Sequence, residues 1–123
     1  SMAHVVDVFG TVLELAGAST SAMLDDRLID AQSFAGQLLG RENADARAWN
    51  YAEIDAAFLG GRTTAMRNQA FKLISSPRGE QLYHLAQDPA EMTDLIASDD
   101  AAVQQNYQQL KSRLEQLLVS ETE

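Results

Sequence analysis

The segment Thr63–Leu85, with the sequence TTAMRNQAFKLISSPRGEQLYHL, decides the fold. Residues 63–67 and 71–74 are predicted to be two short strands on either side of a tight turn at Asn68-Gln69. A second turn follows at residues 75–79, and residues 81–85 make a third strand. Strands joined by such short turns must be antiparallel neighbours, because a parallel crossover needs about a dozen residues or more.

The flanking sequence adds one strand before this segment and one long helix after it. From Ala48 to Ile54 the odd-numbered and even-numbered residues form two alternating sets, as expected for side chains on the two faces of a strand. Gly60-Gly61 then marks a turn. From Asp100 to Val119 apolar residues recur at alternating steps of four and three, which predicts an amphipathic helix. The apolar positions of this helix are Val103, Tyr107, Leu110, Leu114, Leu117 and Leu118.

Another amphipathic helix is predicted near the beginning of the sequence, from His4 to Ala16. Its apolar stripe consists of Val5, Val8, Phe9, Val12, Leu15 and Ala16. Gly17 is the expected C-cap, and Gly10 costs the helix about 1 kcal/mol relative to Ala. Residues 18–32 show little pattern, Ser33 is predicted to cap a short helix over 34–39 that ends at Gly40, and residues 41–46 are a polar loop.

This order of elements is typical of an α+β domain. We predict a small antiparallel sheet of about four strands, with the long C-terminal helix packed across it and the N-terminal helix before it. Residues 1–40 form the N-terminal helical segment and connection, and residues 41–123 form the sheet and C-terminal helix. The length of 123 residues suits one compact domain overall.

The sharpest local signal is Asp88-Pro89-Ala90-Glu91. Asp88 suits a helix N-cap, Pro89 suits the first helical position, and Glu91 at the third can reach back to the cap. These residues form a structural signature that predicts one or two helical turns, through Met92 and Leu95.

Composition excludes several classes of function. The chain has 46% hydrophobic and 22% charged residues, so it can bury a core. Its net charge of -9 argues against binding nucleic acid or an anionic membrane surface, and no apolar run approaches the roughly 20 residues that span a bilayer. The absence of cysteine excludes disulfides, thiolate zinc sites and a cysteine nucleophile.

Tests for catalytic and metal motifs nominate no catalytic, metal or cofactor-binding residue. His4 and His84 are eighty residues apart without clustered partners, and no Gly-x-Ser-x-Gly or Gly-rich phosphate motif is present. The acidic pairs Asp25-Asp26 and Asp99-Asp100 lack the spacing of a calcium loop, which favours a solvated or capping role.

Two cations carry the one candidate binding site. Arg67 and Lys72 flank a tight turn and are expected to face one side of the sheet. They are candidates for an anion site or for the edge of a cleft. The alternative is a strand face that simply lies in solvent.

Several motifs, in order along the chain, resemble the C-terminal region of sulfatases. Tyr83–Leu95 resembles the signature LYDL-x-x-DP-x-E-x-x-NL, although His84 stands where the family has Asp and Asp94 where it has Asn. The other resembling segments are 4–17 (HvD…T-lLdLaG), 30–40 (DG-x-S…LL-x-G) and 65–74 (vR…yKli). The resemblance implies a C-terminal subdomain that packs against a large catalytic domain and helps to edge the substrate cleft.

The chemistry that the resemblance implies lies outside this segment. Sulfatases use a formylglycine made in a Cys/Ser-x-Pro-x-Arg motif, and a carboxylate-bound divalent cation, typically calcium. The nearest match here is Ser75-Ser76-Pro77-Arg78, in which Arg78 comes one place too early. No catalytic or metal residue is therefore carried over, and the chain is expected to hold no cofactor of its own.

Two hypotheses about function follow. The first is a sulfatase C-terminal subdomain that is catalytically silent alone and whose partner is a missing catalytic domain. The second is a stand-alone module that binds itself or another protein. An uncovered apolar stripe on the first helix predicts a homodimer, with exchange of that helix as one route.

Overall fold

The computed structural model describes residues 2–18, 31–41, 47–57 and 60–120. Its helices and strands are, in chain order, α1 (Asp7–Leu15), α2 (Ala35–Leu38), β1 (Asn50–Ala56), β2 (Gly61–Arg67), β3 (Phe71–Ser76), β4 (Gly79–His84) and α3 (Ala101–Ser120). Asp25-Asp26 and most of the predicted 18–32 connection and 41–46 loop lie outside the described residues. None of the described helices is long and apolar enough to cross a membrane.

The chain divides into two compact units, Ser1–Ala48 and Trp49–Glu123. The first unit contains α1 and α2, and the second contains the sheet and α3. The boundary expected after residue 40 and the expectation of one compact domain overall stay predictions.

The four strands form one antiparallel sheet in the order β1-β2-β3-β4, which confirms the predicted α+β fold. Each strand boundary lies within two residues of its predicted position. Met66 pairs with Leu73, and Leu73 pairs with Leu82, so one apolar row runs across three strands. Alternation of side chains along the strands places this row on one face of the sheet.

Helix α3 packs across that face, as predicted. The buried core of the second unit consists of Met66, Phe71, Leu73, Leu82, Leu110 and Leu114. The other four predicted apolar positions of the helix pack against this core. Asp100 caps the helix, because its carboxylate accepts hydrogen bonds from the N–H groups of Ala102 at 2.9 Å and Val103 at 3.1 Å. Such a cap typically contributes about 1 kcal/mol.

The helical turns predicted after Asp88 are wrong. The segment between β4 and α3 consists of turns, and Glu91 has a positive φ of 55°. The segment is bound to the edge of β4: the Leu82 N–H donates to the Asp94 carboxylate at 3.0 Å, and the Leu95 N–H donates to the Leu82 carbonyl at 2.7 Å. Tertiary hydrogen bonds therefore override the local helix signal, and they satisfy groups that an edge strand would otherwise leave open.

The predicted glycine stops of the two N-terminal helices are confirmed, whereas α1 begins at Asp7 instead of His4, and Phe34 instead of Ser33 is the N-cap of α2. Gly17 has φ 72° and donates from its N–H to the Glu14 carbonyl at 3.0 Å, as expected of a C-cap glycine. The Ser33 hydroxyl accepts a hydrogen bond from the N–H of Ala35 at 3.2 Å, at the start of α2. Gly40, with φ 66°, follows the end of that helix.

Candidate functional site

The two candidate cations lie side by side. Arg67 on β2 is the register partner of Lys72 on β3. Met66 and Leu73 next to them point into the core, so Arg67 and Lys72 lie on the opposite face of the sheet from α3. The structure thus brings the pair together as expected, while anion binding at the pair stays a prediction.

The Lys72 ammonium is already paired with a carboxylate. Its Nζ lies 2.9 and 2.8 Å from the two carboxylate oxygens of Glu91, and both side chains are about two-thirds buried. The left-handed backbone at Glu91 aims its side chain at this lysine instead of at the predicted cap. None of the ion pairs found among the described residues involves Arg67, so Arg67 is the better candidate for an incoming anion.

The surroundings of Tyr83, which lies beside Lys72 in the sheet, carry negative charge. It is the register partner of Lys72 and is only 8% exposed. Burial raises the pKa of the Tyr83 hydroxyl, and the nearby carboxylates of Asp94, Glu91 and Asp88 raise that pKa further. The negative charges of Glu91 at Lys72 and of Asp94 and Asp88 near Tyr83 weaken the attraction of this place for a second anion.

A buried carboxylate organises the first unit. The Asp7 side chain is 1% exposed and accepts hydrogen bonds from the backbone N–H groups of His4 and Gln32, each at 2.8 Å. It also accepts from the Arg47 guanidinium through Nε at 2.8 Å and through Nη2. We call these four residues the Asp7 clasp.

The clasp keeps Asp7 ionised. Burial alone would raise the pKa of the carboxyl group. The hydrogen bond from Arg47, the two backbone N–H groups and the positive charge of Arg47 outweigh burial, so the pKa of Asp7 is lowered to about 2.

The same side of α1 makes two further contacts within the unit. Thr11 donates from its hydroxyl to the Asp7 carbonyl at 2.7 Å, and that hydroxyl accepts the N–H of Phe34 at 3.1 Å. Gly10 is buried, and a Cβ built on it would lie 3.6 Å from the Cβ of Ala31. The polar and small side of α1 is therefore the side that the unit buries.

The apolar side of α1 is left in solvent. Five side chains, which we call the α1 apolar face, are Val5 (77% exposed), Val8 (48%), Phe9 (57%), Val12 (57%) and Leu15 (50%). Leu38 and Leu39 of the same unit are also exposed. An amphipathic surface helix normally turns its apolar side inward, so the exposed face is a candidate interaction surface.

Sequence reasoning did not identify the clasp. Its signal is a second stripe, formed by Asp7, Gly10 and Thr11 at the i, i+3, i+4 spacing of one helix face. The apolar stripe beside it is stronger and masks this signal. Arg47 carried no signal, since a lone arginine after a polar loop has no distinctive spacing.

The described residues offer no ligand set for a metal ion. No three His, Asp or Glu side chains come together among them. His4 lies in the first unit, whereas His84 lies in the second and packs on the ring of Phe71 at 4.4 Å between centroids. The Ser76 hydroxyl accepts from the Arg78 N–H at 3.2 Å and donates to the Gly79 carbonyl at 3.0 Å, so it builds the β3–β4 turn.

The fold is sulfatase-like, and phosphonate monoester hydrolases share it. A candidate sulfatase from Bacteroides thetaiotaomicron VPI-5482 superposes on 94% of this chain with a TM-score of 0.75 and 18% identity. A 2-O GAG sulfatase superposes on 95% with a TM-score of 0.72 and 17% identity. The phosphonate monoester hydrolase of Agrobacterium radiobacter superposes on 94% with a TM-score of 0.59 and 23% identity.

These structures are much longer than the matching segment. The chain covers 24%, 25% and 24% of them, respectively, which is about a quarter of each. No family model matches the chain, and no curated protein matches it. The likeness confirms the sulfatase resemblance at the level of fold and adds a second class of hydrolase that shares it.

Proposed function

We propose that this chain is the C-terminal subdomain of a sulfatase-like hydrolase and is catalytically silent alone. One observation carries the proposal: nearly the whole chain superposes on sulfatases, but it accounts for only about a quarter of their length. The order of the sequence motifs, which resemble the C-terminal region of sulfatases, supports the C-terminal position.

The residues present do not fit the cofactors of the parent family. Formylglycine needs a Cys or Ser in Cys/Ser-x-Pro-x-Arg, and the chain has neither a cysteine nor that spacing. Ser75, the serine that aligns with the first position of such a motif, lies in β3 and pairs with Glu80 of β4. The described residues bring together no metal ligands either, so the cation and the formylglycine would belong to another part of the hydrolase.

An activity assay tests the proposal. The purified chain should hydrolyse neither a chromogenic aryl sulfate nor a chromogenic phosphonate monoester, with or without added calcium. A complete sulfatase serves as the positive control. Turnover that rises in proportion to the concentration of this chain would overturn the proposed silence.

A second candidate function is a stand-alone module that binds itself or another protein. The exposed α1 apolar face is the observation that favours it. Such a module would be a homodimer of twice 13.4 kDa by light scattering, and its gene would begin at Met2. A monomer, together with a longer reading frame, would argue for the subdomain instead.

A further inference from the structure

We propose that Arg67 and Lys72 form a binding site for a tetrahedral dianion of the sulfate or phosphate class, and that Glu91 occupies this site as an internal competitor. When the dianion binds, Glu91 leaves Lys72, and residues 88–93 change conformation. We call these residues the Glu91 turn. The inference goes beyond the proposed function, because it adds a switch that a small anion controls and that applies equally to a subdomain and to a stand-alone module.

The two cations of the site lie directly opposite each other in the sheet. Arg67 and Lys72 are register partners on β2 and β3, so their Cβ atoms are about 5 Å apart on one face. Like charges in such a pair repel each other and destabilise the sheet. The carboxylate of Glu91 offsets the charge of Lys72. A dianion between the two side chains would offset both charges.

The Arg67 guanidinium can accept a new ligand at little cost. It donates through Nε to the Asn68 carbonyl at 3.4 Å, which is longer than the usual range of about 2.7–3.2 Å. A guanidinium presents its N–H donors as a planar fork that fits two oxygens of an oxyanion. Binding of a dianion would therefore exchange a weak hydrogen bond of Arg67 for charge-assisted ones.

Glu91 is held at Lys72 in an unfavourable backbone conformation. Among the described residues other than glycine, only Glu91 has a positive φ, of 55°. A residue with a Cβ disfavours this left-handed region. The two hydrogen bonds from Lys72, at 2.9 and 2.8 Å, compensate for it. Local strain that surrounding contacts maintain is common at ligand clamps and in switch regions.

The sequence encodes a second conformation for the Glu91 turn. Asp88, Pro89 and Glu91 have the pattern of a helix start, which would give Glu91 the right-handed φ of a helix. In the structure the Asp88 carboxylate instead accepts the N–H of Thr93 at 2.8 Å. Displacement of Glu91 from Lys72 removes the contact that opposes the helical arrangement. The dianion therefore favours the arrangement in which Lys72 is released.

A sodium sulfate titration followed by amide chemical shifts tests the site and the switch together. Sodium chloride keeps the ionic strength constant, because salt screens exposed charges. We expect the amides of Lys72, Glu91 and Thr93 to shift with one midpoint, whereas the Leu95 amide, which donates to Leu82, stays in place. An unmoved Lys72 amide would overturn the site. A shift at Lys72 without shifts at Glu91 and Thr93 would overturn the switch.

Arg67→Gln and Arg78→Gln are a matched pair of variants. Each removes one positive charge, and Arg78 is exposed in the β3–β4 turn. Arg67→Gln should weaken sulfate binding at least about fivefold, and Arg78→Gln should leave it unchanged. An equal loss in both variants would show an adventitious ion only, attracted by net charge, and would overturn the site.

The class of ligand is tested with other anions at the same ionic strength. Sodium phosphate is titrated in parallel with sulfate, and the dianion that binds more tightly is the better ligand. Sodium acetate supplies a planar monoanion that resembles the carboxylate of Glu91. Acetate bound as tightly as sulfate and phosphate would overturn the proposed dianion class.

Glu91→Gln separates competition from simple binding. Without the charge of the carboxylate, the Glu91 turn should already populate the released arrangement. The Thr93 amide should then begin near the position that the wild type reaches in sulfate, and sulfate should move it several-fold less. Asp99→Asn, which makes the same change of net charge at an exposed position, should behave as the wild type does. A Thr93 shift as large in Glu91→Gln as in the wild type would overturn the role of Glu91 as competitor.

Discussion

The carboxylate of Asp7 binds the guanidinium of Arg47, forty residues further along the chain, where the Asp7 side chain is almost fully buried. This pair lies on the side of α1 opposite to its exposed apolar residues. A nine-residue helix is too short to be stable alone in water, so its order must come from tertiary contacts. The clasp supplies those contacts without using the α1 apolar face.

Asp7→Ala should disorder α1. The substitution leaves the largely buried Arg47 without its carboxylate and two backbone N–H groups without an acceptor, which typically costs about 3 kcal/mol or more. Hydrogen exchange of the α1 amides measures this loss of stability as a loss of protection. The matched control is Glu14→Ala, which breaks the exposed pair with Arg41 and should cost less than about 1 kcal/mol. Equal protection in the two variants would contradict the role of the clasp.

The stability of α1 should fall in acid. The pKa of Asp7 is about 2 in the folded chain against 3.8 for the free side chain, so folding favours the ionised form. The clasp therefore contributes fully above about pH 4, and its contribution of about 2 kcal/mol is lost as the pH falls towards 2.

Hydrogen exchange of α1 between pH 5 and 2, corrected for intrinsic exchange rates, measures this loss. Asp7→Asn provides the control, because it cannot titrate and should show a flatter pH dependence across the same range. A wild-type protection that stays constant down to pH 2 would rule out a structural role for the ionised carboxylate.

Gly10→Ala should stabilise α1 by about 0.5–1 kcal/mol, since Ala is the better helix former. The added Cβ would meet Ala31 at 3.6 Å, which is an ordinary van der Waals distance. Gly17→Ala is the matched control: it should destabilise the helix end by about 1 kcal/mol, because Gly17 has φ 72°. Thermal unfolding followed by circular dichroism compares the two, and destabilisation by Gly10→Ala would mean that Ala31 approaches too closely.

Glu91→Gln should strengthen sulfate binding beside Arg67 several-fold. The variant removes the carboxylate that occupies Lys72 and leaves two cations on one sheet face. A titration of backbone chemical shifts with sodium sulfate, at constant ionic strength, measures the affinity. Asp99→Asn is the control, because it makes the same change of net charge at an exposed position outside the sheet that carries Arg67 and Lys72. If both variants bind sulfate alike, the candidate anion site is not real.

The sheet and α3 were predictable because their signals are local and agree with one another. Short turns at Asn68-Gln69 and at residues 75–79 leave antiparallel pairing as the available topology. The spacing of Leu110 and Leu114 identified the buried side of α3, and Asp100 marked its start. Each of these features depends on residues close together in sequence.

The sequence-based predictions failed where residues far apart in sequence decide the structure. The Asp88 capping signal is a good one, but Asp94 and Leu95 bind Leu82 and draw the segment along the edge of β4. Arg67 and Lys72 were correctly placed on one face, whereas the pairing of Lys72 with Glu91 depends on that unforeseen backbone path. The bond between Asp7 and Arg47 spans forty residues, and no spacing in the sequence indicates Arg47 as the partner.

The mass of the native protein that contains this segment tests the central claim most directly. The segment accounts for about a quarter of the structures that share its fold, so we expect a native mass of roughly four times 13.4 kDa. Its reading frame should carry Cys/Ser-x-Pro-x-Arg upstream of Met2. A native product of 13.4 kDa that starts at Met2 would contradict the account and leave the stand-alone module as the function.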